Sequence, residues 1–223
     1  MAGRDPVVIF GTTSSATALA ELVRDEGALE PVAFTVDRGF VDSDEHSGLP
    51  LVPFDELAAR YPVRRFRALV PIGHTAMMGL RAEACRRLEA LGYRLTAWVS
   101  QNAAVWSRLD LGPNTIVMPG ATVLPFAQIG RDVSVRPNVV VSHHCTIGDH
   151  VTLANGAVLG GGSRIGDRSW IGLGAVVRDA VTVAPMTFVG AGATVVSDTE
   201  RDGVYVGVPA RRIEGRSALE STA

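Results

Sequence analysis

Residues 139–166, VVVSHHCTIGDHVTLANGAVLGGGSRIG, carry an aliphatic side chain at every sixth position. The same spacing continues in both directions and gives an unbroken column. Its members are Val105, Leu111, Val117, Val123, Ile129, Val135, Val141, Ile147, Leu153, Leu159, Ile165, Ile171, Val177, Val183, Val189 and Val195. An α-helix cannot repeat every six residues, whereas a stack of short parallel strands can. The sequence therefore predicts such a stack over residues 103–197.

A second column lies two residues before each aliphatic position, from Ala103 to Ala193, and is almost entirely small or β-branched. Alternation along a strand turns both columns inward, so we expect the aliphatic residues to fill the interior and the small residues to fit beside them. Cys145 belongs to the small column and is predicted to be buried. Glycine often follows the aliphatic position directly, at Gly130, Gly148, Gly166, Gly172 and Gly190. We expect these glycines to let the backbone bend at corners.

The first hundred residues follow a different pattern, in which apolar runs alternate with amphipathic stretches. Strands are predicted at VVIFG (7–11), PVAFTVD (31–37), RALVPIG (67–73) and RLTAWV (94–99), with a short strand and a helix in LPLVPFDELAARYP (49–62). Longer helices are predicted in TTSSATALAELVRDEG (12–27) and TAMMGLRAEACRRLEALGY (75–93). This alternation indicates a small, Rossmann-like parallel sheet with crossover helices. We therefore predict an α/β domain at 1–100, a β-helix domain at 101–215 and a tail at 216–223.

Composition limits the classes of function. With 47% hydrophobic residues and a net charge of −2 over 223 residues, the chain is typical of an ordinary globular protein, and we expect no nucleic-acid partner. The apolar run Val7–Phe10 is far too short to span a membrane, so we expect a cytoplasmic location. The two cysteines, Cys85 and Cys145, lie in a predicted helix and a predicted buried strand, which favours reduced thiols.

The histidines of the repeat raise the question of a metal site. His144 and His150 are six residues apart. The repeat resembles that of left-handed parallel β-helices, whose triangular coils of three hexads would place these two residues on different faces. Cys145 points inward and cannot easily share a metal with outward histidines. The γ-type carbonic anhydrases hold a metal on this kind of scaffold, but their paired histidines are spaced differently. We therefore predict no metal.

Three stretches, together with the two-domain order and the repeat, resemble a known family. They are SHHCTIGDH (142–150), GGGSRIGDRSWIGLGAVV (160–177) and GVYVGVPARRI (203–213). The chain resembles the bacterial sugar acetyltransferases of the hexapeptide family, in particular the UDP-4-amino-sugar N-acetyltransferases and the sialic acid O-acetyltransferases. The resemblance implies a left-handed parallel β-helix and a homotrimer with active sites between subunits. It also implies acetyl-CoA as acyl donor and a sugar acceptor, expected as a nucleotide sugar, in polysaccharide biosynthesis.

The resemblance also implies roles for particular residues of the β-helix. His143 matches the family's general base, and His144 stands where the family has a carboxylate, so Asp149 or Asp167 could supply that charge instead. Gly161, eighteen residues after His143, is expected to place its backbone beside the thioester. Leu173 and Ala191 correspond to coenzyme contacts in the family, and Thr152 stands where the family has a further contact, a histidine. Arg211 and Arg212 could meet the coenzyme phosphates.

The α/β domain is expected to hold the sugar substrate. The sequence FGTTSSATA follows the first predicted strand and opens a helix, so backbone N–H groups at Gly11, Thr12 and Thr13 could receive a phosphate. Asp37 closes the second predicted strand, where it could contact a ribose.

Two other functions remain compatible with the sequence. One is a metal-dependent lyase or hydrolase on the same scaffold, similar to the γ-type carbonic anhydrases. The other is a non-catalytic module that binds a nucleotide sugar. Within the acetyltransferase hypothesis, the sequence leaves open the acceptor sugar, the choice between nitrogen and oxygen, and the identity of the acyl group.

Overall fold

The structure of the protein is a computed structural model that describes residues 4–222. The chain divides into two compact units. The α/β unit comprises the residues up to Gly73 together with Leu80–Ala97, and the β-helix unit comprises His74–Gly79 and the residues from Trp98 onward. None of the helices in the described range is both long enough and apolar enough to cross a membrane.

The α/β unit is built on a six-stranded sheet with the order β3-β4-β2-β1-β5-β6. Its strands are β1 Asp5–Phe10, β2 Leu29–Val36, β3 Glu45–His46, β4 Leu49–Pro53, β5 Arg67–Leu69 and β6 Arg94–Leu95. Its helices are α1 Ser14–Glu26, α2 Leu57–Arg60 and α3 Gly79–Ala90, with 3-10 turns at Arg38–Phe40 and Phe54–Glu56. All strand pairs are parallel except β3 with β4. The predicted parallel sheet with helices is thus confirmed.

Helix α1 shows how local sequence sets an element. The Thr13 hydroxyl accepts a hydrogen bond from the Ala16 N–H at 3.3 Å and caps the helix start. Gly27 ends the helix in the left-handed conformation, and its N–H donates to the Val23 carbonyl at 3.1 Å. The apolar spacing buries Leu19 and Val23 against the sheet. The predicted helix and its end at Gly27 are confirmed.

Two predictions between residues 75 and 99 are wrong. The helix predicted from residue 75 begins only at Gly79, because Ala76, Met77 and Met78 have positive φ angles. Tertiary contacts override helix propensity there, since the Ala76 N–H donates to the Thr222 carbonyl at 2.8 Å and both methionines are fully buried. The single strand predicted at 94–99 is two strands, of which Arg94–Leu95 closes the α/β sheet and Trp98–Val99 opens the β-helix.

The β-helix unit consists of short strands stacked in three sheets, and they pair in parallel except for the last two strands, which are antiparallel. The strands are β7 Trp98–Val99, β8 Ala104–Val105, β9 Ile116–Val117, β10 Thr122–Val123, β11 Gln128–Ile129, β12 Ser134–Val135, β13 Val140–Val141, β14 Thr146–Ile147, β15 Thr152–Leu153, β16 Val158–Leu159, β17 Arg164–Ile165, β18 Trp170–Ile171, β19 Val176–Val177, β20 Thr182–Val183, β21 Phe188–Val189, β22 Thr194–Val195, β23 Gly203–Val206 and β24 Arg211–Ser217, followed by a 3-10 turn at Glu220–Thr222. Strands pair with partners eighteen residues away, as Val141 does with Leu159, so one coil contains three hexads. The fold is a left-handed parallel β-helix.

The interior of the β-helix is filled by the two predicted columns. The aliphatic column is buried from Val117 to Val195, and Val105 and Leu111 pack against it at one end with partial exposure. Cys145 is fully buried in the small column, as predicted, and its Sγ lies 3.4 Å from the Ser163 hydroxyl one coil later. The column starts one hexad earlier than predicted, because Val99 also packs on this core.

The expectation that glycines after the aliphatic position let the backbone bend is wrong. Positive φ angles occur instead one residue before the small column, where the hexads carry Asn114, Gly120, Phe126, Asp132, Asn138, His144, His150, Gly156, Gly162, Arg168, Gly174, Ala180, Met186 and Gly192. Glycine is required at Gly148 and Gly166 because the next coil approaches closely. A Cβ on Gly166 would lie 2.4 Å from the Pro185 nitrogen. Close packing between coils, not backbone freedom, therefore selects these glycines.

Candidate functional site

His143 and His144 lie together at a corner of the β-helix. They occupy the turn between Val140–Val141 and Thr146–Ile147, and His144 adopts the left-handed conformation with φ 59°. Val141 and Cys145 on either side point inward and are fully buried, so the two imidazoles project outward and are exposed. The position of the two histidines in the hexad therefore places both rings on the outer surface of the β-helix and not in its core.

The two imidazoles contact each other through their Nδ1 atoms, which are 3.1 Å apart. Their planes cross at 81° with centroids 5.3 Å apart. A neutral imidazole carries one N–H, so one ring donates and the other accepts. If the Nδ1–H of His143 donates to His144, the Nε2 atom of His143 has its lone pair free. The arrangement can therefore leave His143 ready to accept a proton at Nε2.

Gly161 lies directly against the His143 ring. A Cβ on Gly161 would lie 2.6 Å from Cε1 and 2.9 Å from Nε2 of His143, so any side chain there would displace the imidazole. The neighbouring Gly162 N–H donates to the His143 carbonyl at 2.9 Å. The Gly161 N–H itself donates to Oδ1 of Asp179 at 2.6 Å, one coil further on. The structure brings His143 and Gly161 together, and it adds a carboxylate that the sequence analysis did not consider.

Asp149 and Asp167 do not lie at this corner. Oδ1 of Asp149 accepts from the Arg131 N–H, and Oδ1 of Asp167 accepts from the Asp149 N–H, both at 2.9 Å. These residues follow the strands that form the four-stranded sheet, one hexad away from the His143 corner. Each carboxylate thus accepts a hydrogen bond from the backbone of the preceding coil. This arrangement argues against the idea that either one orients His143.

His150 has a structural partner. Its Nδ1 lies 2.7 Å from Oδ2 of Asp132, whose Oδ1 accepts from the Asn114 amide at 2.6 Å. Asp132 and Asn114 are both buried, and the three residues stack at eighteen-residue intervals on one corner. Among residues 4–222 there is no group of three or more His, Cys, Asp or Glu side chains arranged to hold a metal ion.

The residues expected to contact the coenzyme fall into three situations. Leu173 and Ala191 are exposed and stack on one corner, since a Cβ on the adjacent Gly172 would lie 2.7 Å from the Ala191 nitrogen. Arg211 is exposed on the last strand. Thr152 is only 1% exposed, so the prediction that it contacts the coenzyme is not supported. Leu173 lies twelve residues after Gly161 and hence at a different corner from His143 within one chain.

The predicted acceptor residues lie at the carboxyl ends of strands β1 and β2. Gly11 has φ 108°, and its N–H donates to the Thr35 carbonyl at 2.8 Å, while Thr12 and Thr13 lead into helix α1. Parallel sheets bind ligands at this edge, beside the strand where the order reverses, and that strand is β1 here. The predicted loop therefore occupies the position in the α/β unit that suits a ligand.

Asp37 is held by an arginine that the sequence analysis missed. Arg87 donates to Oδ1 and Oδ2 of Asp37 at 2.5 and 3.1 Å, and its guanidinium carbon lies 4.2 Å from the centre of the Phe54 ring. The hydrogen bonds from Arg87 lower the pKa of Asp37 below its usual value, against the opposing effect of burial. Asp37 is thus a carboxylate with its charge balanced, not an isolated acid.

Comparisons with known proteins agree with this architecture. The family model described as bacterial transferase hexapeptide (six repeats) matches residues 109–143 and 126–161. A search of curated proteins gives no match. The acetyltransferase domain of PglB from Neisseria gonorrhoeae FA1090 is 26% identical over 94% of this chain and 100% of that chain, with a TM-score of 0.85.

Two further solved structures are similar over nearly the whole chain. PerB from Caulobacter crescentus, in complex with CoA and GDP-perosamine, is 28% identical over 96% of this chain and 98% of that chain, with a TM-score of 0.83. WeeI from Acinetobacter baumannii AYE is 25% identical over 93% of this chain and 99% of that chain, with a TM-score of 0.82. The chain carries hexapeptide repeats and is an acyltransferase, similar in structure to sugar acetyltransferases.

Two residues near the histidines of this acyltransferase were not predicted from the sequence, although the eighteen-residue length of one coil would have identified them. Asp179 follows Gly161 by eighteen residues, and Phe126 precedes His144 by eighteen. Strands eighteen residues apart pair side by side, so residues at this spacing are neighbours on one corner. Arg87, in contrast, lies fifty residues from Asp37, and no periodic signal joins them.

Proposed function

We propose that this acyltransferase moves the acetyl group of acetyl-CoA directly to an amine or hydroxyl of a nucleotide-activated sugar, with His143 as general base. The observation that carries the proposal is the exposed His143 imidazole, bonded to His144 at Nδ1 and lying against the main chain of Gly161. The similar structures support the two substrates, since the PglB domain was solved with acetyl coenzyme A and PerB with CoA and GDP-perosamine.

The proposed reaction needs one proton acceptor and no covalent enzyme intermediate. The acceptor nitrogen or oxygen attacks the thioester carbonyl carbon while Nε2 of His143 takes its proton. The resulting imidazolium keeps its Nδ1–H bonded to Nδ1 of His144, which must therefore be neutral and carry its own proton on Nε2. When the carbon–sulfur bond breaks, His143 returns the proton to the leaving thiolate, and CoA departs as a thiol.

The Gly161 N–H is the proposed partner of the thioester oxygen, on which negative charge develops during attack. Asp179 now accepts that N–H, and a carboxylate beside a developing oxyanion would oppose the reaction. Asp179 is exposed, so its side chain can rotate away when the thioester arrives. Acyl donor and Asp179 thus compete for the same donor group.

This competition predicts a specific effect of Asp179→Ala. The KM for acetyl-CoA should fall by about 2- to 10-fold, the range of a lost competing hydrogen bond, without a fall in kcat. Asp167→Ala is the matched control, because Asp167 accepts a backbone N–H in the same way at another corner. A KM that is unchanged, or that falls equally in both variants, would remove Gly161 from the proposal.

We further propose that the active site is completed by a second copy of the chain in a homotrimer. His143 and the corner of Leu173 and Ala191 lie apart within one chain, so a pantetheine arm touching both needs a neighbour. One sheet also presents an outward row of mostly apolar residues, Ala104, Thr122, Val140, Val158, Val176 and Thr194, which suits packing against copies. We place the coenzyme phosphates near Arg211, since Arg212 is paired with Glu200.

A mixing experiment tests the shared site. His143→Ala and Leu173→Arg variants should each be inactive alone, while trimers formed by refolding them together should regain activity at sites that combine the two intact corners. Light scattering should give the mass of three chains. Mixed assemblies without any regained activity, or a fully active monomer, would contradict the shared site.

We propose that the nucleotide part of the acceptor binds the α/β unit. The diphosphate would lie at the N-terminus of helix α1, beside Gly11, Thr12 and Thr13, where the helix dipole and N–H groups favour anions. Asp37, fixed by Arg87, is placed to accept hydrogen bonds from ribose hydroxyls without adding net negative charge near the diphosphate.

The direct test is acetyl transfer from acetyl-CoA to a panel of amino-sugar and sugar nucleotides. His143→Ala should lower kcat by roughly 10²- to 10⁴-fold while the melting temperature stays unchanged. Thr146→Ala, an exposed outward position of the next strand, is the control and should remain active. Activity lost on chelation would favour a metal-dependent lyase or hydrolase. Binding of sugar nucleotides without CoA binding would favour a non-catalytic module.

A further inference from the structure

The two histidines end a continuous series of aromatic rings on the surface of the β-helix. Trp106 and Phe126 have ring centroids 5.1 Å apart, Phe126 and His144 are 4.8 Å apart, and His144 and His143 are 5.3 Å apart. Phe126 is 57% exposed, although a phenyl ring has no chemical need to face water. The contact between Phe126 and His144 follows from their eighteen-residue spacing on one corner.

We propose that Phe126 is a positioning residue, whose ring supports His144 as the proton-sharing partner of His143 and so takes the place of an anionic partner. This inference rests on the proposed role of His143. The ring centroids of Phe126 and His144 are 4.8 Å apart and the ring planes are inclined by 32°, so the two rings contact each other in a tilted arrangement. With His143 bonded on its edge and Phe126 against its ring, His144 is held in one orientation.

The electronic part of the argument concerns charge. Once His143 has taken the substrate proton, the histidine pair carries one positive charge, shared through the hydrogen bond between the two Nδ1 atoms. The face of an aromatic ring attracts a cation within about 6 Å of its centroid. When the shared proton lies on His144, Phe126 meets this condition, since the two ring centroids are 4.8 Å apart. It can therefore stabilise the charged pair, which forms only during the reaction.

Phe126 also adopts the left-handed conformation, with φ 65°, which is unfavourable for a bulky side chain. Other hexads place either small residues such as Gly120 or larger ones such as Met186 at the equivalent position. Phe126 combines this conformation with a largely exposed aromatic ring, and that exposure needs a compensating interaction. The tilted ring contacts with Trp106 and His144 supply one.

The inference is tested by kinetics of Phe126→Leu, which keeps an apolar side chain and removes the π face. We expect kcat to fall by about 2- to 5-fold, as for a cation–π contact at an exposed site, with the KM values for both substrates unchanged. Phe126→Trp should restore kcat. Leu124→Ala, an exposed position two residues earlier, is the control and should change nothing.

Repeating the substitution of Phe126 in a His144→Asp variant distinguishes a role in positioning His144 from a purely structural role. In His144→Asp, a carboxylate orients His143 and needs no aromatic support, so adding Phe126→Leu should have no further effect on kcat. An equal loss in both backgrounds, a loss that Phe126→Trp does not restore, or a change only in KM or in oligomeric mass would overturn the inference. If His143→Ala leaves turnover intact, the proposed function fails. If it abolishes turnover and Phe126→Leu does not lower kcat, only this inference fails.

Discussion

In the β-helix unit, the surroundings of a side chain depend on its place in the hexad, whereas in the α/β unit they depend on which distant segments meet. Cys145 contacts Ser163 because the two are one coil apart. Asp37 contacts Arg87 across fifty residues because a strand end and a helix happen to converge. A repeat thus turns sequence spacing into spatial contact, and a mixed α/β sheet does not.

This difference bears on the candidate residues of each unit. The β-helix presents His143, Gly161 and Phe126 from a corner whose neighbours are fixed by strand pairing on either side. The α/β unit places Gly11 and Asp37 at strand ends, where loops vary freely without disturbing the sheet. We therefore expect the corner of His143 to tolerate little change in length and the loops at Gly11 and Asp37 to tolerate more.

The largest expected change in stability comes from comparing an inward residue with an outward residue of the same strand. Ile165 is 2% exposed in the aliphatic column, and its neighbour Arg164 points outward. Ile165→Ala should lower the free energy of unfolding by about 2–5 kcal/mol through lost burial and a cavity. Arg164→Ala should change it by about 0.5 kcal/mol or less. Denaturant titration measures both free energies of unfolding. Similar losses of stability in the two variants would contradict the claim that position in the hexad decides which side chains form the core.

A smaller effect is expected from substituting glycines at two different hexad positions, one directly after the aliphatic column and one directly before the small column. Gly166→Ala should destabilise by about 1–3 kcal/mol, because its Cβ would meet the backbone of the next coil at Pro185. Gly174 has φ 61° with open space around it, and asparagine tolerates that conformation. Gly174→Asn should therefore cost less than about 1 kcal/mol. The opposite order in thermal or chemical unfolding would show that backbone freedom, not close packing, selects glycine directly after the aliphatic column.

The smallest effect belongs to the α/β unit and concerns pH. Arg87 lowers the pKa of Asp37, so the pair stabilises the fold above the unfolded pKa of about 3.9, and this contribution is lost as pH falls through the lower folded value. Because both side chains are partly exposed, we expect about 1 kcal/mol or less. Arg87→Met should remove this acid dependence. Stability curves of equal slope below pH 4 in both proteins would contradict it.

The sequence predicted spatial contacts between residues where the six-residue period applies, and only local elements such as helix α1 elsewhere. The interior of the β-helix, the outward direction of His143 and its contact with Gly161 follow from six- and eighteen-residue spacings. Asp179 and Phe126 obey the same spacing and could have been found. The start of helix α3 could not, because Met77 and Met78 are held out of it by burial against the chain end. The contact of Arg87 with Asp37 could not be predicted either, because no feature of the helix sequence indicates which distant residue it meets.

The central claim is that acetyl transfer occurs at the corner formed by His143 and Gly161. A crystal structure of the protein with a stable thioether or amide analogue of acetyl-CoA tests it most directly. We predict that the acyl carbonyl oxygen accepts the Gly161 N–H at about 3 Å, that Asp179 has turned away, and that Nε2 of His143 faces the acyl carbon. An analogue bound with its acyl group at another corner, while Asp179 still holds the Gly161 N–H, would contradict the account.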